Sequence, residues 1–132
     1  MAHFSYTGVG DKGTTCLLGK SGLAKDDARI EALGCYDELD SALGVAAAFS
    51  ESEDTRRILK SLQDDMHTIC AELGAAIKGG PEVTEKHIKV IESLIDEYEN
   101  FVEPQQQKRC YYFVLPGETK EAALLHLART IA

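Results

Sequence analysis

The chain has no long apolar run, no paired cysteines and little positive charge. Its longest apolar stretch, Leu43 to Phe49, is far too short to cross a bilayer. No basic start followed by an apolar core opens it, so no secretory leader is expected. Cys16, Cys35, Cys70 and Cys110 are widely spread without a CxxC pair, which argues against zinc ribbons and thioredoxin-type redox chemistry. They read as free thiols of a reducing cytoplasm. His3, His67, His87 and His126 form no HExxH string and no i, i+4 pair, so no metal site is expected. There is no nucleophile-elbow string and no DxHxxG string. The net charge of -8 makes nucleic acid a poor partner, because that affinity depends on Lys and Arg at phosphates.

What is present is concentrated at the start. Tyr6 to Lys25 is dense in Gly, Thr and Lys. Glycine lets a backbone turn tightly and bring N–H groups to an anion. Thr hydroxyls add donors, and Lys12, Lys20 and Lys25 add local positive charge. That is phosphate-binding chemistry on an acidic chain. Two strings inside it are decoys. Gly8-Val-Gly-Asp-Lys-Gly13 spells GxGxxG but follows no strand and sits in no βαβ unit. Gly13 to Gly19-Lys-Ser21 is one residue too long for a P-loop, and no helix opens directly after its lysine. The plain alternative is a loop rich in turn residues.

The remainder is helical in period. With 132 residues the chain suits one domain, with a loop over 1–25 and a helical bundle over 26–132. Ala32, Tyr36, Leu39, Leu43 and Ala46 make one stripe, which predicts a helix over 26–49. Ser50 and Glu53 fit a capping box for a second helix striped by Ile58, Leu62, Met66, Ile69, Leu73 and Ile77. Gly79-Gly80-Pro81 would stop it. Ile88, Ile91, Ile95, Tyr98 and Val102 stripe a third, followed by a polar connection at Gln105 to Arg109. Tyr111 to Leu115 is the only β-like run and reads as an extended segment stopped by Pro116-Gly117. Thr119 would cap a fourth helix carrying Ala122, Leu125, Ala128 and Ile131 inward. The expected fold is all-α, an antiparallel helical bundle with a long N-terminal loop. The last helical pattern is still running at Ala132, as though the bundle were shortened at its C-terminus.

Within the first helix, Glu38 and Asp40 read as a solvated acidic face. Asp37 borders the apolar stripe, where a buried carboxylate would need a cation. Arg129 is the candidate partner. Phe113, held by Leu115-Pro-Gly117, is either a core plug or a fixed contact.

Four blocks of residues resemble the PduO-type ATP:cob(I)alamin adenosyltransferases. They are Tyr6-Thr-Gly-Val-Gly-Asp-Lys-Gly-Thr-Thr15; Lys25-Asp-Asp-Ala-Arg-Ile-Glu-Ala-Leu-Gly34 with Asp37-Glu-Leu-Asp-Ser-Ala-Leu-Gly44; Leu62-Gln-Asp-Asp65 with Leu73-Gly74; and Phe113-Val-Leu-Pro-Gly117 with Ala122 to Thr130. They span almost the whole chain. The resemblance implies a five-helix bundle assembled as a homotrimer with sites between subunits. It implies transfer of the 5′-deoxyadenosyl group from ATP, accompanied by Mg2+, to the cobalt of a reduced corrinoid such as cobalamin, with triphosphate released. By matched position, Thr7, Gly8, Val9, Gly10, Thr15, Cys16 and Lys25 would line the ATP site. Asp37 and Arg129 resemble an inter-subunit salt bridge near the corrinoid, and Phe113 an aromatic under the corrin ring. Gly8 stands where the family pattern has a basic residue, and Val9 where it has a second Thr. The backbone N–H groups of both remain. The family's fifth helix and an R-R-A-E-R segment that grips ATP would follow Ala132. The resemblance therefore carries a second implication, a non-catalytic homologue that binds nucleotide or corrinoid. A plain helical oligomerisation domain, whose loop is only a loop, is the reading that owes nothing to the family.

Overall fold

A computed structural model describes residues 8–74, 80–102 and 115–132. In chain order these hold two strands, β1 (Thr14–Leu17) and β2 (Lys20–Ala24), and four helices, α1 (Ala28–Phe49), α2 (Glu53–Gly74), α3 (Glu85–Val102) and α4 (Lys120–Ile131). The molecule is thus mostly helical, but not wholly so. The stretch expected to be loop contains an antiparallel hairpin with Thr14 opposite Ala24, Thr15 opposite Leu23 and Leu17 opposite Lys20. Its two-residue turn, Leu18-Gly19, uses the left-handed backbone that glycine tolerates, at φ +80. The register shifts between Thr15 and Leu17, and β1 is only four residues long, too short a run to announce a strand from its sequence.

Helix α1 begins two residues later than the stripe alone predicts, because Asp27 caps it. The Asp27 carboxylate accepts from the Arg29 N–H at 3.0 Å. At the other end Ser50 closes α1, its N–H donating to the Ala47 carbonyl. The expected capping box for α2 moves accordingly. Ser52, not Ser50, accepts from the Thr55 N–H at 3.2 Å. Ser50 is instead buried, and its hydroxyl donates to Glu121 at the start of α4. The Gly79-Gly80-Pro81 stop falls partly outside the described residues, as do Ile77 and the Tyr111 to Leu115 run apart from Leu115, which is exposed. Thr119 caps α4 as expected, accepting from the Ala122 N–H at 3.0 Å.

The core lies where α1, α2 and α4 meet. Leu43, Ala46, Ala47, Leu59 and Ala128 are buried together, flanked by Leu39, Ala42, Leu62, Met66, Leu124 and Leu125. Ala46 is 0% exposed. Three alanines at the centre let the helix axes approach closely. Gln63 ties α2 to α1 by donating to the Asp40 carbonyl at 3.1 Å, packed against Gly44.

Helix α3 departs from expectation. Its stripe of Ile88, Ile91, Ile95, Tyr98 and Val102 is exposed, and no residue of the helix is buried. The other three helices fill the core with each other. Polar contacts mark the α2–α3 junction: the Val83 N–H donates to Glu72 at 2.9 Å, and His87 Nε2 lies 4.0 Å from Asp65.

Candidate functional site

The residues expected to hold ATP come together around the hairpin. Two successive turns shape the segment before β1. The Asp11 N–H donates to the Gly8 carbonyl and the Gly13 N–H to the Gly10 carbonyl, both at 3.2 Å. Gly8 and Gly13 have φ of +67 and +81, which only glycine adopts without strain. The N–H groups of Gly10 and Lys12 join no hydrogen bond among the described residues. Backbone N–H groups in successive turns can line an anion-binding concavity.

Lys25 closes that concavity. The hairpin brings it back beside the turns, where its N–H donates to the Gly13 carbonyl at 2.9 Å. Its side chain then lies across the loop. Cε and Nζ both come within 3.4 Å of the point where a Cβ on Gly10 would stand. Thr15 is half-buried on β1, opposite the buried Leu23, while Cys16 and Val9 are exposed. Thr7 lies outside the described residues, as does Phe113.

Asp37 sits in the middle of α1 and Arg129 in the last turn of α4, one residue past the buried Ala128. Both side chains are exposed. Asp37 is therefore not the buried carboxylate that would need a cation inside the subunit. Within one chain the two do not meet. The ion pairs among the described residues are Arg56–Glu53, Arg57–Asp54 and Lys89–Glu85, with looser His67–Asp40 and His87–Asp65 approaches. Hydrogen bonding and the charge of Arg56 hold the Glu53 carboxyl below its usual range.

One group was misread from sequence. Asp40 is not on the solvated face, since only 27% of its side chain is exposed. Its Oδ1 is buried and has no hydrogen-bond partner among the described residues, and Oδ2 lies 3.9 Å from His67 Nε2. Cys70, facing the same region from α2, has its thiol pushed up, first by burial and then by Asp37 and Asp40. The signal was in the spacing. Asp40 follows Tyr36 by four and precedes Leu43 by three, so it shares their side of the helix.

With this geometry in place, comparison with known proteins is specific. The sequence model of a family described as Cobalamin adenosyltransferase matches residues 5–132. A corrinoid adenosyltransferase of Citrobacter freundii is 39% identical over 130 residues, which cover 96% of this chain and 71% of that protein. The corrinoid adenosyltransferase PduO of Salmonella typhimurium is 34% identical, over 96% of this chain but 38% of its own length. Among solved structures, a variant PduO-type ATP:corrinoid adenosyltransferase from Lactobacillus reuteri, complexed with cobalamin and ATP, superposes with a TM-score of 0.78 at 31% identity. The match covers 96% of this chain and 70% of that one. A second variant of that enzyme, complexed with ATP, gives the same TM-score at 32% identity.

Proposed function

Because the chain belongs to the cobalamin adenosyltransferase family, we propose that it transfers the 5′-deoxyadenosyl group of ATP to the cobalt of a reduced corrinoid. The electron pair of cob(I)alamin attacks C5′ of ATP, the C5′–O bond breaks, and triphosphate leaves with the bonding pair. The nucleophile is the substrate itself, so the protein needs no serine or cysteine attack. Its work is to position the two substrates and to stabilise the charge that gathers on the leaving triphosphate.

The observation that carries this reading is the seat formed by the Gly8 to Gly13 double turn and Lys25. Backbone donors and one ammonium converge where a triphosphate would be held. Lys12 stands exposed within the double turn and adds to the local field, while Lys20 lies on β2 at the turn end of the hairpin. Mg2+ arriving with ATP would neutralise part of the triphosphate charge. Gly8, Val9, Gly10, Thr15, Cys16 and Lys25 are the ATP-side residues of this proposal, with Thr7 joining them. Phe113 belongs under the corrin ring. Asp37 and Arg129, both exposed, are free to pair between subunits of a homotrimer. The described residues hold a hairpin and four helices, which suit the proposed five-helix plan, and a cytoplasmic setting supplies the reductant. No described helix is long and apolar enough to cross a membrane.

The test is direct. Purified protein, ATP, Mg2+ and cob(I)alamin under anaerobic reducing conditions are expected to give the adenosylcobalamin spectrum, with one triphosphate per cobalt. Folded protein that neither turns over nor gains melting temperature with ATP would overturn the reading, since a ligand bound only by the folded state must stabilise it.

A further inference from the structure

Gly10 is a glycine for a different reason from its neighbours. Gly8, Gly13, Gly19 and Gly22 all have positive φ, so their backbone excludes a side chain. At Gly13, Gly19 and Gly22 an added Cβ would meet nothing within 4 Å. Gly10 is the reverse case. Its φ lies outside the left-handed region, so the backbone would accept any residue. The space is narrower, tight against the Thr14 carbonyl and already at contact distance from the Lys25 tail. A Cβ there would stand 3.2 Å from the Thr14 carbonyl oxygen and 3.4 Å from both Cε and Nζ of Lys25.

We propose that Gly10 is a positioning residue for ATP binding: the absence of its side chain is what lets the Lys25 ammonium lie across the loop and complete the anion seat. The inference rests on the proposed ATP site and adds to it a reason for one residue. The backbone of Lys25 is already pinned, by its own N–H to Gly13 and by the Thr14–Ala24 pair just before it. Only the direction of the side chain remains open. An exposed lysine tail samples many rotamers, and ordering it costs side-chain entropy. A bare glycine backbone beneath Cε and Nζ leaves a track in which the tail lies over the Gly10 backbone. Any branched residue would fill that track, because its γ carbons reach about 1.5 Å beyond Cβ, into the space that Cε and Nζ hold.

The test is a double-mutant cycle on the full chain. ATP affinity is measured by calorimetry for the parent protein, Gly10→Val, Lys25→Met and the pair. Gly10→Val and Lys25→Met are each expected to weaken ATP binding about tenfold or more, and the pair to be within about twofold of Lys25→Met alone, since residues acting through one contact are non-additive. Losses that multiply in the pair would overturn the proposal and assign the effect of Gly10 to the Thr14 carbonyl instead. A ligand-free measurement keeps the seat separate from the function. A nuclear Overhauser contact between the Lys25 ε protons and the Gly10 α protons is expected in the parent protein, and its absence would overturn the seat whatever ATP does. Parent protein that shows the contact yet binds no ATP would sink the functional reading and leave the geometry standing. Melting temperatures of the variants are expected to match the parent's, because neither residue belongs to the core.

Discussion

Cys70 carries a thiol whose ionisation the fold disfavours. It is half-buried on α2, and burial, followed by the negative charges of Asp37 and Asp40, disfavours its thiolate. Because the thiolate is the reactive form, iodoacetamide at pH 8 is expected to modify Cys70 more slowly than the exposed Cys16 and Cys35. Mass spectrometry of the individual peptides checks this. Asp40→Asn is expected to narrow the gap, and equal rates at all three thiols would contradict the assignment. The sign for stability follows from linkage. The folded chain holds the Cys70 proton more tightly than the unfolded chain, whose thiol titrates near its ordinary value of 9.0. No penalty exists below that value, and stability falls as pH rises through it towards the folded value. Cys70→Ala is expected to flatten the urea midpoint above pH 9 and leave its pH dependence near neutrality unchanged. This cluster was only half legible in the sequence. Asp37 stood out because it borders the stripe. Asp40 was given to solvent, and the α2 partners His67 and Cys70 come near it only through the α1–α2 packing, which no local pattern encodes.

At the scale of elements, caps decide boundaries that periodicity leaves loose. The stripes placed all four helices, but Asp27 moved the start of α1 and Ser52 displaced Ser50 as the cap of α2. Ser50 was a reasonable candidate by sequence, since Glu53 follows it by three. Its hydroxyl was taken by Glu121, a partner 71 residues away. Thr119 was legible because its own neighbours satisfy it. Its Oγ1 accepts from the Ala122 N–H and its carbonyl from the Ala123 N–H. Thr119→Ala is expected to cost about 1 kcal/mol in urea unfolding, and Thr119→Ser to restore most of it, as for other helix N-caps. A loss confined to Thr119→Ala would also report on site geometry, because α4 carries Arg129. The hairpin was missed for the opposite reason. Its strands are short and irregular in register, and its glycines serve turns, so the glycine-rich composition reads as loop.

At the scale of the whole molecule, two features lack a partner among the described residues, and both bear on the proposed assembly. The Ile88, Ile91, Ile95, Tyr98 and Val102 stripe of α3 is exposed, an apolar surface of the kind that marks an interface. Asp37 and Arg129, the charged pair of the proposed corrinoid site, stand exposed and unpaired with each other. If the pair forms between subunits of a ring, each site takes Asp37 from one chain and Arg129 from its neighbour. Asp37→Ala and Arg129→Ala proteins are then each expected to lose most corrinoid adenosylation while retaining ATP binding. Subunits mixed after unfolding and refolding behave differently. An intact site needs an Arg129→Ala chain, which keeps Asp37, beside an Asp37→Ala chain, which keeps Arg129. In a heterologous ring assembled at random from equal amounts, about one site in four meets that condition. The mixture is therefore expected to recover about a quarter of parent activity, a value set by closed-ring symmetry and not by the strength of either variant. A pair acting within one chain would recover nothing on mixing, because every chain would carry one defect. An assay of the refolded mixture against the two separate variants, with sedimentation confirming that the oligomer re-forms, tells the two arrangements apart.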